Sequence, residues 1–231
     1  MRYYMPSLTK LYQQAFQELF LPEGFKVHGK GFYRLCDDVV QIFYMRGYQG
    51  SYDFCFNIFP TSRRVKELYL EMYDIPCFRT QGCGWWPKQQ LLLDAGFSEA
   101  VALTAKHVLP VFRQGTDSRS AYLALTDLER QIYSIGVIMN NFDFVLLCLQ
   151  AGDYAQAEKH MAAIVAQNTP SPGQELSEAR AMNFARIQEE FRHIHERNTE
   201  YWNPILDERR KVTMDFLASL EPKRRRKAPE V

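Results

Sequence analysis

Between Gly24 and Phe59 apolar and polar side chains alternate, and this alternation constrains the chain more than any other feature. Val39, Gln41, Phe43 and Met45 interleave with Val40, Ile42 and Tyr44, and Tyr52, Phe54, Phe56 and Ile58 share one parity. A period of two places successive side chains on opposite faces of an extended strand. KVHGKGFYR, VVQIFYM and GSYDFCFNIF therefore read as three consecutive strands joined by short turns, one of them at Asp37-Asp38. An antiparallel meander needs something apolar on at least one face. The preceding segment supplies it: Ser7 caps a helix in which Leu8, Leu11, Tyr12, Ala15, Phe16, Leu19 and Phe20 recur at three- and four-residue intervals. Pro22 and Gly24 end that helix. Ile75 to Cys83 reads as a fourth strand, with Pro76 placed where an edge strand tolerates it.

Beyond Trp85-Trp86-Pro87 the period changes to that of helices and stays so. Ser98 to about Phe112 reads as one helix stopped near Gly115, and Asp117 or Ser118 opens another reaching Tyr133. Ile135 to Leu149 is apolar almost all round, the pattern of a central buried helix. Leu146 to Val165 forms a helical hairpin, since Gly152-Asp153 carries both a stop and a cap. Its AGDYAQAEKH core resembles one tetratricopeptide unit, but no second copy follows at the expected period, so an ordinary hairpin is expected. Glu175 to Trp202 reads as a long charged helix, broken or kinked at Pro204 and resuming through Leu220. The expected fold is α+β: an N-terminal helix on a three- or four-stranded antiparallel meander, followed by a mostly helical C-terminal region. Residues 1–87 form the sheet region, 88–220 the helical region packed with it as one unit, and 221–231 a disordered basic tail.

The order GF-x-x-x-G-x-x-FYR (Gly24-Phe25, Gly29, Phe32-Tyr33-Arg34), D-x-VVQ (Asp38, Val40, Gln41) and GSYDFCFNIF resembles a bacterial family described as a domain of unknown function. Members begin with a helix and carry G-F-x-(K/R)-x-G-x-x-(F/W)-x-R ahead of further strands. The Trp85-Trp86 pair, after a strand with Arg79 at its centre, is similar too. The resemblance covers about residues 7–110. It implies a helix-first α+β fold and, by analogy with immunity proteins encoded beside bacterial toxins, binding of another protein. It implies no catalytic residue.

Several chemistries are disfavoured by the residues themselves. His193 and His195 lie two apart, a spacing that turns them about 200° away from each other on a helix, so they do not share a metal. Glu190 and His193 have the i, i+3 spacing of di-metal bundles, but no second E-x-x-H is present. No phosphate-binding glycine loop and no G-x-S-x-G elbow occur. The five cysteines lack a repeated spacing, which argues against a disulfide framework, and Cys55 and Cys148 sit in apolar runs as small buried side chains. No cofactor or metal is expected. Catalysis ranks third among the readings, with His28, His107 and Glu190 as titratable groups a pocket would have to gather.

The candidate surfaces are three. Lys26, His28, Lys30, Phe32 and Arg34 fall on alternate positions of the first strand and are expected to share a positive, aromatic-dotted sheet face. Arg79, Trp85 and Trp86 form a junction where tryptophan would anchor a partner. Lys223, Arg224, Arg225, Arg226 and Lys227 make a basic run. A net charge of +1 means that no global field draws the chain to nucleic acid. No segment approaches the length of a membrane span and no secretory leader is recognisable at the N-terminus, so a cytoplasmic location is expected. The reading is thus a non-catalytic module that binds another protein, of immunity or toxin-neutralising type. The alternative is nucleic-acid binding through the basic strand and tail. Oligomeric state is left open.

Overall fold

The computed structural model describes residues 7–65, 75–76, 86–93, 96–132, 141–171, 173 and 175–221. Arg79, Trp85 and the run Lys223 to Lys227 lie outside the described residues, as do Cys77 and Cys83. The first helix, α1 (Leu8–Phe20), is capped as expected: the Ser7 hydroxyl accepts from the Lys10 amide at 3.3 Å. It closes with Gly24 at φ 82°, where the Phe25 amide reaches back to the Phe20 carbonyl and the Gly24 amide to that of Leu21. A left-handed residue just past the end satisfies two orphan carbonyls, and glycine adopts it without a Cβ clash.

The sheet is antiparallel, with β1 (Lys26–His28), β2 (Gly31–Cys36), β3 (Val39–Tyr48), β4 (Ser51–Pro60) and β5 (Ile75–Pro76) side by side. A short β6 (Trp86–Pro87) also pairs with β4. The α+β fold is therefore present: an N-terminal helix, an antiparallel sheet and a mostly helical C-terminal region. One strand reading is corrected. KVHGKGFYR is not a single strand but a hairpin turning at Gly29 and Lys30, with Lys26 opposite Tyr33 and His28 opposite Gly31. Gly29, at φ 50°, supplies the positive φ that a two-residue hairpin turn demands. The expected fourth strand is described only at Ile75–Pro76, where it pairs with Cys55 and Phe56.

Both sheet faces are buried. Phe32, Phe43, Phe54, Phe56 and Ile58 point at α1, where Tyr12, Phe16 and Phe20 interlock with them in one aromatic core. Phe20 lies 4.7 Å from Phe43 between ring centroids, and Phe16 lies 5.4 Å from Phe54. The opposite face (Tyr33, Val40, Ile42, Tyr44, Cys55 and Phe59) packs with Leu217 from the last helix. The central strands are thus buried on both sides, whereas β1 at the edge keeps Lys26 and Val27 exposed.

The helices are α2 (Lys88–Leu91), α3 (Ser98–His107), α4 (Leu109–Gln114), α5 (Ser118–Ile132), α6 (Asn141–Gln150), α7 (Tyr154–Asn168), α8 (Glu178–His195) and α9 (Thr199–Leu220). The single helix expected from Ser98 to Phe112 is two, because Pro110 has no amide hydrogen and sits where one is not needed, in the first turn of α4. The hairpin at Gly152-Asp153 stands as expected, with Gly152 at φ 72° and the Asp153 carboxylate accepting from the Gln156 amide at 3.1 Å. The long helix breaks at Arg197 rather than at Pro204. Arg197 is left-handed at φ 51°, the Asn198 amide bonds the His193 carbonyl, and the Asn198 side chain caps α9. Pro204 lies inside α9. Of the segment expected to be a central buried helix, α6 is described, and Val145 to Leu149 are buried throughout. Burial pushes the Cys148 thiol up to about 12. No described helix is long and apolar enough to cross a membrane.

Candidate functional site

The motif residues of the opening block are consumed in holding helices. Arg34 and Gln41 are register partners on the core face of β2 and β3. Gln41, fully buried, donates through Nε2 to the Phe112 and Gly115 carbonyls, both at 2.7 Å, and so satisfies carbonyls at the C-terminus of α4. Arg34 donates to Gln41 Oε1 and to the Glu23 carbonyl, and its guanidinium lies 4.7 Å from the Phe25 ring centroid. Arg113 holds the Glu23 carboxyl below its ordinary range through a side-chain hydrogen bond, with Arg34 adding to it. Asp38 does for α5 what Gln41 does for α4. Its carboxylate accepts from the Ser118 amide at 2.8 Å, from the Ser118 hydroxyl at 2.7 Å and from Gln150 Nε2 at 2.8 Å.

The expected basic face does not form. The turn at Gly29 and Lys30 inverts the parity, so Lys26 and His28 share the face of Tyr33, while Phe32 and Arg34 lie on the other. Phe32 is fully buried. Lys26 pairs with Glu221, and Lys30 lies over the Tyr44 ring at 5.1 Å. Trp86 is 4% exposed and packs edge-on against Phe54 at 5.2 Å, so it belongs to the core. His193 stacks on Tyr201 at 3.8 Å while His195 pairs with Glu158 at 2.8 Å, consistent with histidines that face apart. Glu190 pairs with Arg186 rather than with His193. Among the described residues no group of three His, Cys, Asp or Glu is placed to hold a metal ion.

A surface that the motifs do not mark stands out instead. Phe97 lies 6.3 Å from Tyr12 and 6.4 Å from Phe16 between ring centroids, which seats the start of α3 beside α1. Between the two helices runs a recess of about 550 Å³. Leu11, Gln14 and Ala15 form one wall, and Ser98, Val101, Ala102 and Ala105 the other. Leu91, Leu92, Leu93 and Phe97 close one end. Gly96 makes that end possible, because a Cβ there would meet the Gln90 carbonyl oxygen at 2.4 Å. Leu92 is 43% exposed and Leu93 68%. None of these lining residues carries a charge.

The chain matches no protein-family model, no curated protein and no solved structure. The family resemblance therefore rests on its motif residues alone.

Two further recesses are smaller. One of about 360 Å³ lies between β2 and α9, lined by Tyr33, Leu35, Met214 and Leu217 with Lys26, Arg34 and Glu221. The other, about 380 Å³, is polar and lies between the ends of α7 and α8. His28, His107 and Glu190 line none of the three. The sequence signal for the α1/α3 recess is the run Leu91-Leu92-Leu93, too long for one short helix to bury. Its partner wall is a tertiary contact that no local pattern announces.

Proposed function

We propose that the chain is a protein-binding module that docks the apolar face of another protein in the α1/α3 groove. One observation carries this reading: an uncharged recess is continuous with two adjacent, exposed leucines. Water in contact with such a surface is released when a matching apolar surface covers it, which is the main favourable term in association. A groove without cations does not suit a phosphate backbone, which is recognised by lysine and arginine. The groove has no titratable side chain among its lining residues, and its polar groups are the Gln14 carboxamide and the Ser98 hydroxyl. Neutralisation of a toxin, the use that the family resemblance implies, is one form such occlusion would take.

The test is site-specific photocrosslinking in a host lysate, with a photoreactive residue at Ala102 and a control at the exposed Lys159 of α7. A single protein crosslinked from position 102 and absent from position 159, lost again when Leu93→Asp is added, supports the reading. Equal crosslinking from both positions, or none from position 102, overturns it.

A further inference from the structure

Resting on the docking reading above, we infer that the occupant of the α1/α3 groove is a short amphipathic α-helix whose contact face is apolar and uncharged. The first argument is about the backbone. Both long walls of the groove are helices, whose peptide groups beyond the first turn of each are spent on their own internal bonds. An extended peptide laid between them would find pairing groups only at the uncapped first turn of α3, and each amide or carbonyl buried unpaired elsewhere costs about 1 to 3 kcal/mol. A helix arrives with its backbone already satisfied.

The second argument is the spacing of the walls. The α3 wall is Ser98, Val101, Ala102 and Ala105, that is i, i+3, i+4 and i+7, and the α1 wall is Leu11, Gln14 and Ala15, i, i+3 and i+4. These are ridges of helical period, and the ridges of a third helix fit the groove between them. From Ser98 to Ala105 the wall rises about 10 Å, or two helical turns. The matching ligand therefore presents three or four anchors at i, i+3 or i+4, and i+7.

The third argument is size and charge. Ala15, Ala102 and Ala105 are small, so the walls leave room for large side chains such as Leu, Met or Phe. Leu93, at the end of the groove, adds a contact that a longer anchor would cover. With no charge among the lining residues, a carboxylate or ammonium on the contact face would be desolvated without a partner. Charges on the ligand belong on its outer face.

The experiment uses the purified full chain and three synthetic peptides of equal composition. The first has apolar residues at i, i+3, i+4 and i+7; the second has the same residues in period-two order; the third is helical with a Glu moved into the contact face. Binding is read by fluorescence anisotropy and located by hydrogen exchange. The first peptide is expected to bind at least tenfold more tightly than the other two, to protect α1 and α3, and to lose tenfold or more in affinity with Ala102→Arg or Leu93→Asp. If the period-two peptide protects the groove as well or better, the helix inference falls while docking stands. If none of the peptides protects it but rising concentration of the chain itself does, the occupant is a second copy and the helix inference falls. If nothing protects the groove, both the inference and the docking reading fall.

Discussion

Arg34 and Gln41 stand directly opposite each other on β2 and β3, and the Gln41 carboxamide oxygen accepts from Arg34 Nε at 3.0 Å and from Nη2 at 2.7 Å. The other end of the carboxamide donates to two carbonyls at the end of α4. One side chain thus links the sheet, a part-buried cation and a helix terminus. A buried network is stable when every member is satisfied and fragile when one is removed.

Gln41→Leu keeps the volume but leaves the Phe112 and Gly115 carbonyls and the Arg34 guanidinium short of partners. We expect a loss of about 3 kcal/mol of stability, read as a lower urea midpoint with an unchanged slope. A midpoint within error of wild type would show that the network is replaceable by solvent.

Asp38 caps α5 from the β2–β3 turn, across the sheet-to-helix junction. Asp38→Ala should cost about 2 kcal/mol and speed hydrogen exchange at the Ser118 amide, while the Arg119 and Ser120 amides, held by the Asp117 carboxylate, keep their protection. Asp38→Asn should recover part of the loss, since the amide oxygen still accepts. Exchange that quickens equally in α7 would instead mean general destabilisation.

Much of this was legible beforehand where the physics is local. The Ser7 cap, the parity of Phe43, Phe54 and Phe56, and the Gly152-Asp153 stop are each decided by a few neighbouring residues, and they stand. The basic face was misread because alternation is blind to a two-residue turn: one hairpin at Gly29 and Lys30 exchanges the faces of all that follows. Arg34 and Asp38 read as surface polar groups or turn formers. Their partners, at Phe112 and Ser118, are about eighty residues away, and only the folded chain brings them together. The groove between α1 and α3 depends on Phe97 meeting Tyr12 and Phe16, again a contact without local signature.

Trp86 offers a test of core against interface. Its ring is buried against Phe54, so Trp86→Ala should cost about 3 to 5 kcal/mol, whereas Leu93→Asp at the exposed end of the groove should leave thermal stability within about 0.5 kcal/mol of wild type. Thermal melts of the two variants check both expectations. An unaffected melt for Trp86→Ala would return that residue to the candidate binding surface.

The last expectation concerns the buried pair of Asp143 on α6 and Arg63, 3.3 Å apart. Burial pushes the Asp143 carboxyl from 3.8 up to about 6, and the Arg63 guanidinium pulls it back. The folded chain therefore holds this proton more tightly than the unfolded chain. Its contribution to stability is fully present below the unfolded value and is lost as pH rises through about 6. Asp143→Asn cannot titrate, so the stability of wild type minus that of the variant should grow by about 1 kcal/mol between about pH 7 and about pH 5. Burial of His107 and His160 lowers their values, and acidification through their range works the other way, but both are present in each chain and cancel in the difference. Urea titrations of the two proteins at matched pH measure it. A difference that stays flat or shrinks on acidification would mean that attraction to Arg63 outweighs the cost of burial, leaving Asp143 ionised throughout.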